Sequence, residues 1–64
     1  MSISDNLYKI IKEKNISVHK LAKDTGLHHS GIYRILNNEN KNPGIYTIKK
    51  IADSIGVNID SLLK

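Results

Sequence analysis

The sequence predicts an all-α domain built from five short helices, and three observations support this prediction. Apolar residues recur at spacings of three and four, as at Ile3, Leu7 and Ile10, which is the period of a helix that buries one face. Residues that favour helix ends, such as Gly26 and Gly56, interrupt this pattern at short intervals. No segment alternates apolar and polar residues as a half-buried strand would.

The predicted helix boundaries follow from capping residues and turn formers. Ser2 or Ser4 can cap the first helix, and Asn15 ends it. Ser17 can cap the second helix, and Asn58 can cap a last short one. The predicted helices cover about residues 4–14, 18–24, 28–37 and 45–55, and a last short turn after Asn58 contains Asp60, Leu62 and Leu63. A loop of turn-forming residues covers 38–44. The apolar stripe of the fourth helix contains Ile45, Ile48, Ile51, Ala52 and Ile55.

Length and composition limit the protein to one small domain over residues 1–64. A chain of this size buries only about 60% of its unfolded surface, so its core is thin. Cysteine is absent, which excludes disulfides and thiolate metal sites. The chain carries neither a membrane-length apolar segment nor a signal-peptide pattern, so we expect a cytoplasmic protein.

The residue types favour a binding module over an enzyme. Ten Lys and Arg against six Asp and Glu give a net charge of +4, which favours polyanionic partners. No cluster of acid, base and nucleophile is present, so we expect neither enzymatic activity nor a cofactor. The three histidines lack the i, i+4 spacing of a helical metal site, so we expect no bound metal.

The most informative pattern lies in the middle of the chain. Two helices joined by a tight turn need a small residue where they cross, which Ala22 supplies. They also need a turn residue that tolerates positive φ, which Gly26 supplies. The second helix then needs apolar residues on its inner face, as at Ile32 and Ile35. Counted from Val18, these four residues occupy places 5, 9, 15 and 18, which is the spacing of a helix-turn-helix.

Two segments of the chain resemble a known family. The segment from Ile16 to Ile35 resembles the lambda-repressor-like, Cro-type helix-turn-helix family, and the segment from Asn42 to Leu63 looks like that family's fourth and fifth helices. The resemblance implies a compact five-helix domain that binds double-stranded DNA, usually as a dimer at a near-palindromic operator. Two departures stand out. The family often carries Gln where this chain has Val18, and Ser or Thr usually caps the third helix where this chain has His28.

One face of the third helix is expected to read DNA bases. When Ile32 and Ile35 point to the core, the opposite face projects outward, and recognition helices contact base edges from their N-terminal end. Arg34 is the only Arg in the chain, and its planar fork can bond guanine O6 and N7 together. Plain exposure to solvent is the alternative for each outward side chain. The helical wheel and the resemblance place the base contacts at His29, Ser30, Tyr33, Arg34 and Asn37.

A second contact zone is expected around the loop and the start of the fourth helix. Backbone N–H groups at a helix N-terminus bind phosphate, and Lys41 adds a positive charge there. Such contacts position a protein on DNA without reading sequence. The expected phosphate contacts are Ser17, His19, His28, Asn38, Asn40, Lys41, Asn42, Ile45 and Tyr46.

These inferences favour a nucleoid-associated, sequence-specific transcriptional regulator of the repressor type found in phages and mobile elements. We expect it to bind its operator as a homodimer, because the C-terminal apolar residues are too many for one short helix to bury. The expected dimer contacts are Val57, Ile59, Leu62 and Leu63. Two alternatives stay open: a DNA-binding antitoxin that also binds a toxin, and the N-terminal DNA-binding domain of a longer repressor.

Overall fold

Residues 2–64, which the computed structural model describes, form five helices and no strand. The helices are α1 (Ile3–Lys14), α2 (Val18–Thr25), α3 (His29–Leu36), α4 (Ile45–Ile55) and α5 (Asp60–Leu63). The all-α prediction is therefore confirmed, and the ends of the predicted helices agree with the observed ends to within about two residues. No helix among these residues is long and apolar enough to cross a membrane.

The two ends of α1 follow the local signals in the sequence. The Ser2 hydroxyl accepts a hydrogen bond from the Asp5 N–H at 3.1 Å, so Ser2 and not Ser4 caps α1. Ser4 instead donates its hydroxyl to the backbone carbonyl of Leu36 at 2.7 Å, which ties α1 to the end of α3. Asn15 ends α1 in the left-handed conformation, with a φ of 55°.

The start of α5 differs from the prediction. No side chain caps this helix, so the expected Asn58 cap is wrong. Ile59, the residue before the first residue of α5, already has helical dihedral angles. The Asn58 backbone carbonyl also accepts a hydrogen bond from the Ser61 N–H at 3.0 Å, so the turn starts from the backbone. The side chain of Asn58 is therefore not needed to start the last turn.

One apolar core holds the five helices together. Helix α1 packs on α3 and α5, α2 packs on α3 and α4, and α4 also packs on α5. Ile45 belongs to the predicted apolar stripe of α4, yet its side chain is 63% exposed, because it occupies the first position of the helix, outside the core. The buried apolar side chains are Leu7, Leu21, Ile32, Ile35, Ile48, Ile51, Ala52, Ile55 and Leu62.

A buried polar side chain joins the two ends of the chain. Asn6 is 7% exposed, and its Nδ2 donates a hydrogen bond of 2.8 Å to the backbone carbonyl of Leu62. Helices shorter than about 12–15 residues are marginal alone, so α5 depends on contacts of this kind. The hydrogen bond and the burial of Leu62 together hold α5 against α1.

We expect Asn6→Ala to lower the free energy of unfolding by about 1–3 kcal/mol, because the variant leaves the buried Leu62 carbonyl without its donor. Urea unfolding followed by circular dichroism measures this change. Asn58→Ala is the matched control, since Asn58 is exposed and caps nothing, and its stability should change by less than about 0.5 kcal/mol. Equal losses in the two variants would contradict the structural role given to Asn6.

Candidate nucleic-acid interface

The turn between α2 and α3 is fixed by local hydrogen bonds. Gly26 ends α2 with a φ of 75°, a conformation that L side chains rarely adopt. The Thr25 hydroxyl donates to the Leu21 carbonyl at 2.8 Å and accepts from the Leu27 N–H at 3.2 Å. These contacts set the direction in which the chain enters α3.

The outward face of α3 is defined by the residues that the helix buries. Ile32 and Ile35 are 0% and 3% exposed, so they turn the opposite side of the helix to solvent. Tyr33 is 46% exposed, and Arg34 is exposed as well. The side chains predicted to contact bases are all exposed: His29, Ser30, Tyr33, Arg34 and Asn37.

Aromatic rings from both helices of the motif form a cluster at the start of α3. The His29 ring stacks on His28 at a centroid distance of 4.9 Å and an interplanar angle of 18°. The same ring lies 5.3 Å from His19 of α2 and meets the Tyr33 ring edge-on at 6.4 Å. The sequence predicts separate roles for these residues and does not predict the cluster. The one local sign of the cluster is a histidine in the first turn of each helix of the motif.

His28 caps α3 with its imidazole. Its Nδ1 accepts a hydrogen bond from the Ser30 backbone N–H at 3.3 Å and lies 2.8 Å from the Ser30 hydroxyl. An accepting Nδ1 carries no proton, so the neutral ring that makes this contact has its N–H at Nε2. The imidazole thus supplies the acceptor that Ser or Thr would supply at this position.

The loop after α3 folds back onto the end of that helix. The Arg34 carbonyl accepts from the N–H groups of Glu39 and Asn40 at 2.8 and 3.0 Å. The Asn40 side-chain oxygen accepts from the Asn42 N–H at 3.2 Å, and Asn38 has a φ of 63°. The loop residues expected to contact phosphate are all exposed: Asn38, Asn40, Lys41 and Asn42.

The start of α4 carries no side-chain cap, because Gly44 occupies the N-cap position. The side chains of Ile45 and Tyr46 are 63% and 74% exposed there, and the Lys50 ammonium lies 5.2 Å above the Tyr46 ring. Unpaired N–H groups at such a helix start attract anions. This end of α4 therefore has the backbone donors and the nearby cation that a phosphate contact needs.

The remaining phosphate candidate, Ser17, caps α2. Its hydroxyl oxygen accepts from the Lys20 N–H at 3.0 Å, which leaves its hydroxyl hydrogen as a donor.

The charged groups divide into paired and unpaired ones. In the part of the chain that the structure describes, two exposed i, i+4 ion pairs join Lys20 to Asp24 at 3.4 Å and Lys49 to Asp53 at 3.6 Å. Within residues 2–64, Arg34 makes no ion pair, so its guanidinium is available to an external anion or base. No group of three or more His, Asp or Glu side chains in this range is arranged to hold a metal ion.

The C-terminal residues expected at a dimer interface differ in exposure. Leu62 is 1% exposed and belongs to the core, so it offers no surface to a second copy of the chain. Val57 and Ile59 are half-buried and pack against the core. Leu63 is 44% exposed. Leu62 is therefore removed from the residues expected at the dimer interface, because α5 buries one of its two leucines in the core.

Comparisons with known proteins agree with the helix-turn-helix fold. A family model described as the Cro/C1-type HTH DNA-binding domain matches residues 6–64. A curated protein of Coxiella burnetii (strain RSA 493 / Nine Mile phase I), described as an uncharacterized HTH-type transcriptional regulator, is 37% identical over 62 residues. The match covers 97% of the chain, and the chain spans 29% of the length of that relative. No solved structure shows significant similarity to the chain.

We expect His28→Ala to lower the free energy of unfolding by about 1 kcal/mol, because it removes the Nδ1 acceptor that caps α3. His28→Ser should restore most of the loss, since a hydroxyl can accept from the same N–H. Urea unfolding of both variants measures the effect, and Ser17→Ala gives the corresponding loss for α2. If His28→Ala were as stable as the unchanged protein, the imidazole would not be the cap.

Proposed function

Because the chain belongs to the Cro/C1-type helix-turn-helix DNA-binding domain family, we propose that it is a sequence-specific transcriptional repressor of the phage or mobile-element type. One observation carries this proposal: burial of Ile32 and Ile35 presents the outward face of α3, with the unpaired Arg34, to an external partner. A duplex DNA major groove is the partner that admits such a helix.

In the proposed complex, α3 lies in the major groove and contacts base edges. Arg34 bonds guanine O6 and N7 together through its planar guanidinium, which Lys does less selectively. His29 and Ser30 each can donate and accept, so they adapt to several bases. Tyr33 packs against a thymine methyl group or bonds a phosphate, and Asn37 flanks the contact at the end of the helix.

Phosphate contacts on both sides of α3 would hold it in register. Such contacts contribute affinity and orientation but little sequence information. The ring cluster favours this arrangement, because contact between the tilted rings of His19 and His29 restricts both side chains before DNA binds. The proposed set contains the side chains of Ser17, His19, His28, Asn38, Asn40, Lys41 and Asn42 and the backbone N–H groups of Ile45 and Tyr46.

We further propose that two copies bind one operator and block a promoter that overlaps it. Leu63, exposed at the end of α5, would contact the second copy together with the accessible parts of Val57 and Ile59. A patch of this size supports only weak association, so the dimer would form mainly on DNA. Two-fold symmetry of the protein would then be matched by a near-palindromic operator.

Selection of bound sequences from a random duplex library tests both proposals. We expect one enriched near-palindrome whose half-sites lie about 34 Å apart, one turn of duplex. Leu63→Glu should weaken binding to the full operator and leave binding to an isolated half-site unchanged, because it alters only the contact between copies. Failure to enrich any sequence would overturn the proposed function. Enrichment of a single asymmetric site of about five base pairs would overturn the dimer alone.

Base reading and phosphate contact can be separated by two variants. Arg34→Ala should cost about 1–3 kcal/mol on the selected operator and much less on a scrambled duplex, because it removes a base contact. Lys41→Ala should weaken binding to both duplexes equally. It should also reduce the slope of log affinity against log salt concentration by about one unit, since it removes one phosphate neutralisation. Fluorescence anisotropy at several salt concentrations measures both. The reverse pattern would show that the two roles are exchanged.

A further inference from the structure

Gly31 differs from the other three glycines of the chain because it lies inside a helix. Gly26 and Gly56 end helices with a φ of 75°, and Gly44 precedes the first residue of α4. Gly31 occupies the third position of α3 and has no positive φ. Helical backbone of this kind accepts any L residue, so backbone conformation does not require a glycine here.

Packing within the domain does not require it either. Apart from its two chain neighbours and the nearby backbone of α3 itself, a Cβ atom placed on Gly31 would meet no atom within 4 Å, and the residue is exposed. Glycine is among the least favourable residues in a helix, since it loses the most backbone freedom on folding. The domain therefore carries a residue that disfavours helix in the eight-residue helix α3, and no packing contact among residues 2–64 requires a glycine there.

Gly31 lies next to two of the residues proposed to contact bases. It follows Ser30 directly and lies three residues before Arg34, so Gly31 and Arg34 are neighbours on the helix surface. Long helical side chains lean toward the N-terminus of their helix, over the preceding turn. We therefore expect the side chain of Arg34 to extend over the helix surface at Gly31, where no side chain stands in its way.

We propose that Gly31 is a specificity-determining position, where the bare backbone of α3 is in close contact with the duplex. The inference rests on the proposed function and adds a residue that acts by its lack of a side chain. Hydrogen bonds to base edges form only within a donor–acceptor range of about 2.7–3.2 Å. A methyl group between helix and groove would hold α3 outward and lengthen the bonds that Arg34 makes.

Two substitutions of Gly31 test this proposal by opposite effects on stability and affinity. Gly31→Ala should raise the Tm by about 2–6 °C, because alanine favours the helix. It should also weaken binding to the selected operator roughly tenfold, with a smaller loss on scrambled duplex. Gly31→Leu adds bulk without a hydrogen-bonding group, so it should weaken operator binding further while keeping a raised Tm.

Ser54→Ala is the matched control. Ser54 is exposed in the last turn of α4, about 13 Å along the helix axis from Ile45. Alanine there should raise the Tm through the same preference for helix and leave operator affinity unchanged. The control therefore shows that a more stable domain does not by itself bind DNA less tightly.

Calorimetry and fluorescence anisotropy on the full chain measure the two quantities. The proposal is supported if Gly31→Ala has a higher Tm and binds the operator less tightly than the unchanged protein. A raised Tm with unchanged affinity overturns it, because no close contact then exists at this position. A lowered Tm also overturns it, because the fold would then need the glycine. If the unchanged protein selects no DNA sequence at all, the proposed function fails instead.

Discussion

The burial of Ile32 and Ile35 sets the rotation of α3 about its own axis, and the surface offered to DNA depends on that rotation. Each side chain contributes about 1.5–3 kcal/mol when fully buried, and both lie in the core. A rotation of α3 about its own axis that brought its opposite face to the core would expose the side chains of both Ile32 and Ile35. An eight-residue helix is too short to persist alone, so the same burial that orients α3 also makes it helical.

The contacts that hold α3 extend to the far end of the chain. Helix α3 packs on α1 and α2, and α1 in turn packs on α5. The hydrogen bond from Asn6 to the Leu62 carbonyl closes this arrangement, and the bond from Ser4 to the Leu36 carbonyl joins α1 directly to the end of α3. In a domain with a single thin core, we therefore expect a substitution that destabilises α5 to destabilise α3 as well.

The charged surface contributes little to holding the fold. The two ion pairs are exposed i, i+4 pairs, a type worth about 0.3–0.5 kcal/mol each. Stability comes instead from the core and from local caps such as His28 and Ser17. The net charge of +4 is thus available for attraction to a polyanion, and the unpaired Arg34 is the part of it best suited to base recognition.

The local sequence by itself was enough to predict the helices, the helix-turn-helix and the outward face of α3. The spacing of apolar residues, the Ser17 cap and the Gly26 turn act within a few residues, so each can be read from neighbouring positions. Only the tertiary structure decided the burial of Asn6, the exposure of Ile45 and the meeting of histidine rings from α2 and α3. The reason is physical: a helical period shows that one face is buried, whereas the partner of each side chain depends on how separate helices cross. The burial of a particular polar side chain and the contacts between rings of separate helices are properties of that packing, and no local pattern encodes them.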